Sequence, residues 1–173
     1  MSDRRARIVH SPHVLDFVSH SAAQTIRVGQ RLGELLQRGD LVALQGDLGA
    51  GKTHLIKGIA LGLGSADMVN SPSFVLINQY RAGVQRDGMP IYHVDLYRIE
   101  RMAELAGIGL EELLDGDGVC LIEWAERAEG WLPAERLDVY LGHLSETKRV
   151  VRFVPRGRRY EELVDALKKA AFS

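Results

Sequence analysis

Apolar positions along the chain fall into runs whose spacing alternates between the strand period and the helix period. Leu41-Val42-Ala43-Leu44-Gln45 is a compact apolar run of strand length, and Val119-Cys120-Leu121-Ile122 is continuous enough for a strand buried on both faces. Residues 74–80 and 90–96 are strand-like and flank a loop holding Gly83 and Asp87-Gly88, which predicts a hairpin. Leu137, Val139 and Leu141 alternate, as do residues 150–154, so a later hairpin is expected around Ser145-Glu146. Val28, Leu32, Leu35 and Leu36 recur on one helical face; Ser21-Ala22-Ala23-Gln24 has the form of a capping box before them and Gly39 follows. Residues 53–63 predict a helix stopped by Gly64, residues 101–114 a helix broken near Gly107-Ile108-Gly109, and residues 161–171 a closing amphipathic helix. Ile8 and Val9, ahead of Pro12, suggest an edge strand. Strands alternating with helices predict an α/β fold: one domain over residues 1–173, with residues 1–18 as a peripheral N-terminal segment. Its central sheet is expected to be mostly parallel with antiparallel additions, flanked by helices.

Length and composition narrow this picture little. A chain of 173 residues, 46% apolar and 26% charged, suits one globular core. The formal net charge of −1 excludes a global positive field for nucleic acid, so any such contact is local or made through a partner. The basic stretch Lys148, Arg149, Arg152, Arg156, Arg158 and Arg159 reads as a solvated face, or as contacts with phosphates, tRNA or an acidic partner. A lone cysteine, Cys120, sits in an apolar run and reads as a small core residue in a reducing compartment. The N-terminus lacks the apolar region of a signal peptide, and no apolar stretch approaches the roughly 20 residues of a membrane span. A cytoplasmic location without membrane attachment is the expectation. His10, His13 and His20 lack metal-ligand spacing.

The chemistry is concentrated at residues 46–53. Gly46-Asp47-Leu48-Gly49-Ala50-Gly51-Lys52-Thr53 matches G-x-x-x-x-G-K-[ST] in full, between a buried strand and a helix as the motif demands. Glycines let successive amides turn inward into an anion site, the following helix aims its free amides at the same phosphates, Lys52 supplies charge to the β- and γ-phosphates, and the Thr53 hydroxyl suits magnesium. Two carboxylates are placed to complete such a site. Glu123 ends an apolar strand, where open α/β sheets put their ligand crevice, and is the expected metal partner of Thr53. Asp95 lies in His93-Val94-Asp95-Leu96-Tyr97-Arg98, where period-2 alternation gathers His93, Asp95 and Tyr97 on one polar face; it suits orienting water or binding magnesium. Asn70-Ser71-Pro72-Ser73-Phe74 reads equally as an ordinary turn or as a segment sensing the γ-phosphate.

Taken together, the phosphate loop, Ser71-Pro72-Ser73-Phe74, His93-Val94-Asp95-Leu96-Tyr97-Arg98 and Ile122-Glu123-Trp124 resemble, in order and spacing, the bacterial TsaE (YjeE) family, over nearly the whole chain from Ser21. The resemblance implies an ATP- and Mg2+-dependent ATPase serving N6-threonylcarbamoyladenosine formation at position 37 of tRNAs that read codons starting with A. It implies docking on a TsaB–TsaD pair, with tRNA met only through that complex. It implies Thr53 and Glu123 as magnesium ligands and Asp95, with Lys52 and Glu123, as the hydrolytic residues. The nucleotide contacts it implies are Asp47, Leu48, Gly49, Ala50, Gly51, Lys52, Thr53 and His54 of the loop, Trp124 beside the nucleotide, and Thr25 near the adenine. Ser73 and His54 depart from the family's usual threonines. Two other functions use the same loop: a small-molecule kinase, which needs an acceptor pocket and an Arg-rich lid, and a nucleotide-switched binding module. No Asn-Lys-x-Asp motif for guanine is present.

Overall fold

The alternation of apolar positions is resolved by a sheet with a core on each face. The structure is a computed structural model that describes residues 12–47, 49–70 and 77–172. Seven strands, β1 (Leu15–Ser19), β2 (Leu41–Gly46), β3 (Ile77–Arg81), β4 (Pro90–Asp95), β5 (Val119–Glu123), β6 (Arg136–His143) and β7 (Arg149–Arg156), form one sheet in the order β1-β7-β6-β2-β5-β4-β3. The four central strands, β6-β2-β5-β4, are parallel. The margins, β1 and β7 on one side and β3 on the other, are antiparallel. Among the described residues five α-helices accompany the sheet: α1 (Ala22–Leu35), α2 (Lys52–Gly62), α3 (Ala103–Gly107), α4 (Leu110–Leu114) and α5 (Arg158–Phe172).

Side chains alternate across the central strands, which explains why those strands read as unbroken apolar runs. Val42, Leu44, Val119 and Leu121 enter the core shared with α1, α2 and α5. Leu41, Ala43, Cys120 and Ile122 enter the core shared with Leu105 of α3 and Leu110 of α4. Both faces are covered, so no strand position in the centre needs a polar residue.

Helix α1 begins where the capping signal puts it. Ser21 Oγ accepts from the Gln24 amide at 3.1 Å, while Gln24 Oε1 accepts from the His20 amide at 2.6 Å, so the reciprocal bond closes one residue early. Helices α1 and α2 approach backbone to backbone through Gly29, Gly33, Gly58 and Gly62; a Cβ added at Gly58 would lie 2.1 Å from the Ile26 carbonyl oxygen. This contact locks the N-terminus of α1 to the N-terminus of α2, the two ends that meet at the phosphate loop.

The expected edge strand at Ile8 and Val9 lies outside the described residues, and the N-terminal strand within them is β1 at Leu15–Ser19. It is held to the sheet by Phe17, which stacks on Phe153 with ring centroids 6.2 Å apart, and by Asp16, which pairs with Arg152 at 2.7 Å on the opposite face. The helix over 101–114 is divided into α3 and α4 at Gly109, whose φ is 71°.

Candidate active site

Sheet topology brings six strand ends to one edge. Parallel pairing aligns the carboxyl ends of β2, β5, β4 and β6, and places Leu44 against Glu123 and Asp95 against Glu123 in register. Antiparallel pairing returns Arg149, at the start of β7, beside His143, and Ser19, at the end of β1, beside Arg149. Carboxyl ends of parallel strands are where such sheets bind ligands.

The loop over residues 46–53 carries three glycines at positive φ: Gly46 at 150°, Gly49 at 75° and Gly51 at 100°. A Cβ at Gly46 would meet the Leu141 carbonyl oxygen at 2.3 Å, so this position is closed by β6. At Gly49 and Gly51 no atom lies nearer than 3.8 Å, and the left-handed backbone is what excludes other residues there. Gly51 is the N-cap of α2 and no side chain caps that helix, whose N-terminus follows the loop directly, the arrangement that phosphate-binding helices use.

Lys52 is buried. Its Nζ donates to the Gly46 carbonyl at 2.5 Å and stands 3.8 Å from the centroid of the Trp124 ring. Burial lowers its pKa, opposed by the carboxylates of Glu123, Glu126, Asp95 and Asp47. Trp124 has φ 56°, a left-handed conformation that a bulky residue rarely adopts. That turn at the end of β5 swings the indole over Lys52, with Tyr97 5.1 Å away and Arg127 5.7 Å from the ring.

Glu123 is 4% exposed, unlike an ordinary charge past a strand end. Its Oε2 is 2.7 Å from His93 Nε2, and His93 Nδ1 is 3.0 Å from the Tyr80 hydroxyl. The polar line His93-Asp95-Tyr97 is thus split: His93 is wholly buried against Glu123, Asp95 is half-buried, and Tyr97 lies beyond the strand and is exposed. Asp95 Oδ1 accepts from the Tyr97 amide at 2.9 Å. Burial raises the Asp95 pKa above the usual carboxylate value, and the nearby Glu123 adds to the rise.

Thr25 is 2% exposed. Its hydroxyl is 2.6 Å from that of Ser19, which ties the start of α1 to the end of β1. Thr25, Gly49, Gly51 and His54 line a cavity of about 350 Å3 together with Glu146 and Arg149 from the β6–β7 hairpin. Arg149 also donates to the Gly49 carbonyl at 3.3 Å, joining the hairpin to the loop. Larger cavities of about 420 and 400 Å3 lie between α1 and α5 and at the opposite edge of the sheet, away from the loop. Leu48, Ser71, Pro72, Ser73 and Phe74 lie outside the described residues.

Among the described residues, no group of three or more His, Cys, Asp and Glu side chains is arranged to hold a metal by itself. A hydroxyl such as that of Thr53 and a carboxylate such as that of Glu123 are the kinds of donor magnesium takes, one or two protein oxygens with phosphates and water completing its octahedron. Sequence reading grouped His93 with Asp95 on one polar face and named Arg149 only within a basic stretch; it did not single out Ser19, Tyr80 or Glu146 as parts of this edge. Those three reach it only through strand order.

Comparison with known proteins follows the same elements. The family model for "Threonylcarbamoyl adenosine biosynthesis protein TsaE" matches residues 19–151, from the end of β1 into β7. The chain belongs to the TsaE family. A Bacillus subtilis tRNA threonylcarbamoyladenosine biosynthesis protein TsaE is 41% identical over 146 residues, covering 84% of this chain and 89% of that protein. The Treponema pallidum TsaE is 40% identical over 134 residues, covering 78% of this chain and 96% of its own. The crystal structure of Bacillus subtilis YdiB superposes with a TM-score of 0.77 at 36% identity, over 90% of this chain and 95% of that one. The TsaE assignment connects the chain to tRNA threonylcarbamoyladenosine biosynthesis. No helix among the described residues is long and apolar enough to cross a membrane.

Proposed function

We propose that this TsaE-family protein is a Mg2+-dependent ATPase that binds and hydrolyses ATP to support a TsaB–TsaD pair in forming N6-threonylcarbamoyladenosine at position 37 of tRNA in the cytoplasm. The observation that carries the proposal is the convergence of the loop at residues 46–53 with Glu123 and Asp95 on one edge of the sheet, in strand register. A phosphate loop alone holds a triphosphate; a buried and a half-buried carboxylate beside it supply what hydrolysis adds.

Each residue has a part consistent with its environment. Amides of the loop and of the first turn of α2 bind the phosphates, and Lys52 brings full charge to the β- and γ-phosphates. Thr53 and Glu123 would hold magnesium. The ion, when bound, neutralises charge developing on the β- and γ-phosphate oxygens. Asp95 orients the attacking water; its pKa, raised by burial, brings it nearer the range of a useful base. Thr25, His54 and the β6–β7 hairpin enclose the base end of the nucleotide in the 350 Å3 cavity. The chain's net charge of −1 suits contact with tRNA through the partner pair rather than directly.

The test is ATP turnover by the purified protein, alone and with TsaB–TsaD, beside the threonylcarbamoyladenosine content of tRNA after depletion. Turnover lost in Lys52→Ala and Asp95→Ala, and modification lost on depletion, is the expected result. Absence of turnover under both conditions rejects the ATPase; unchanged tRNA rejects the pathway role.

A further inference from the structure

Beneath the site lies a chain of buried polar groups that the proposed hydrolysis does not use. It starts at the main chain of Asn70, whose N–H donates to the Tyr80 hydroxyl at 3.2 Å, and passes through His93 Nδ1, 3.0 Å from that hydroxyl, to Glu123 Oε2, 2.7 Å from Nε2. Tyr80, His93 and Glu123 are 6%, 0% and 4% exposed, so no solvent competes for these bonds. A wholly buried imidazole beneath a strand-end carboxylate is not needed for packing alone; Ile91 and Val94 of the same strand fill their sites with hydrocarbon.

Hydrogen-bond inventory gives the chain a direction. A carboxylate only accepts, so Nε2 carries the proton that faces Glu123. For the neutral ring this makes Nδ1 an acceptor, and the Tyr80 hydroxyl, whose one proton also faces the Asn70 carbonyl, is the donor within reach of it. The Asn70 carbonyl, 2.9 Å from the same hydroxyl, still keeps the Asn78 Nδ2 donor at 2.9 Å.

We propose that His93 is the positioning residue of Glu123: by occupying Oε2 it fixes the carboxylate's rotamer and leaves Oε1 as the single oxygen available to magnesium, while Tyr80 and the Asn70 main chain anchor the ring. The inference rests on the reading of Glu123 as a metal ligand. Magnesium demands near-ideal octahedral geometry, so a carboxylate free to rotate, or to offer both oxygens, binds it less well. Outer-shell partners of metal ligands are typically worth 10- to 100-fold in affinity.

The test measures binding of a non-hydrolysable ATP analogue across a Mg2+ titration and again with EDTA, with thermal melting as a check on folding. His93→Asn keeps an amide near Tyr80 but withdraws the donor from Glu123; its Mg2+ midpoint is expected to rise about tenfold or more. Binding in EDTA should stay at the wild-type level. His93→Gln, whose longer amide reaches Oε2, should recover most of the loss, and Tyr80→Phe should shift the midpoint a few fold in the same direction. Equal losses with and without Mg2+, or equal shifts in the Asn and Gln variants, overturn the proposal in favour of a packing role. A wild-type midpoint in His93→Asn beside a shifted one in Glu123→Gln overturns this inference alone. An unshifted midpoint in Glu123→Gln removes the ligand assignment and the inference with it. Should His93→Asn not fold, Tyr80→Phe decides, and an unchanged midpoint there overturns the proposal.

Discussion

Adding one methyl group at Gly58 should both destabilise the protein and loosen its nucleotide site. In Gly58→Ala the new Cβ would stand 2.1 Å from the Ile26 carbonyl oxygen and 2.9 Å from the Gly29 Cα. Carbon and carbonyl oxygen settle at about 3.3 Å or more, so the two helices must part by about 1 Å. Both obstacles are backbone within regular helix, and no side chain can swing aside. Overpacking of this kind costs about 1–3 kcal/mol, and the upper end applies because the strain falls on main chain. Better helix propensity of Ala returns up to about 1 kcal/mol, leaving a net loss of about 2 kcal/mol. For a domain of this size that lowers Tm by about 4–8 °C. The functional consequence follows from what the helices carry. Thr25 rides on the first turn of α1, and Gly51 and His54 lie at the start of α2, on the walls of one cavity. Separation of the helices widens that cavity and weakens ATP binding, while Lys52 and the loop keep their own geometry. Calorimetric melting and nucleotide titration read the two effects, with Gly107→Ala as the control, since no atom lies within 4 Å of its added Cβ. Gly58→Ala melting within about 1 °C of wild type would refute the claim that backbone contact sets this helix pair.

Three further substitutions or measurements bear on the other elements. Burial raises the folded pKa of Asp95, so the folded protein holds that proton more tightly than the unfolded chain, and stability falls as pH rises through the folded value. Asp95→Asn should therefore melt higher than wild type at neutral pH, lose that advantage below the ordinary aspartate value of 3.8, and hydrolyse no ATP; a lower Tm at neutral pH would contradict the burial argument. Tyr160→Phe removes the hydroxyl that accepts from the buried Leu41 amide at 2.9 Å, and an unsatisfied buried N–H costs about 1–3 kcal/mol, readable as an earlier urea midpoint with unchanged nucleotide affinity. Cys120 is 3% exposed and its thiol is pushed up to about 12 by burial, so thiol reagents at neutral pH should label it only as fast as the protein unfolds; rapid full labelling of the native protein would count against its position in the core.

Local chemistry was sufficient for much of this molecule. The capping residues Ser21 and Gln24, the run at β2 and the glycines and lysine after it act through bonds and dihedrals a few residues apart, so their meaning is carried by their spacing. The strand-end position of Glu123 was legible for the same reason. The extent of β1 was not, because Leu15 and Phe17 gain their significance from Phe153, more than a hundred residues away. The burial of Thr25 depends likewise on the end of β1, which reaches it through Ser19.

Residues 46–53, with Asp95 and Glu123, could be grouped from sequence as a candidate site because the phosphate-loop pattern is contiguous and carboxylates at the ends of apolar strands stand out. What surrounds them was decided by the order of strands in the sheet. Placing β5 between β2 and β4 sets Glu123 beside the loop and over His93; placing β6 and β7 on the other side brings Arg149 to Gly49. Strand order depends on which apolar faces bury each other across the whole fold, a long-range and cooperative choice that no short window of sequence contains.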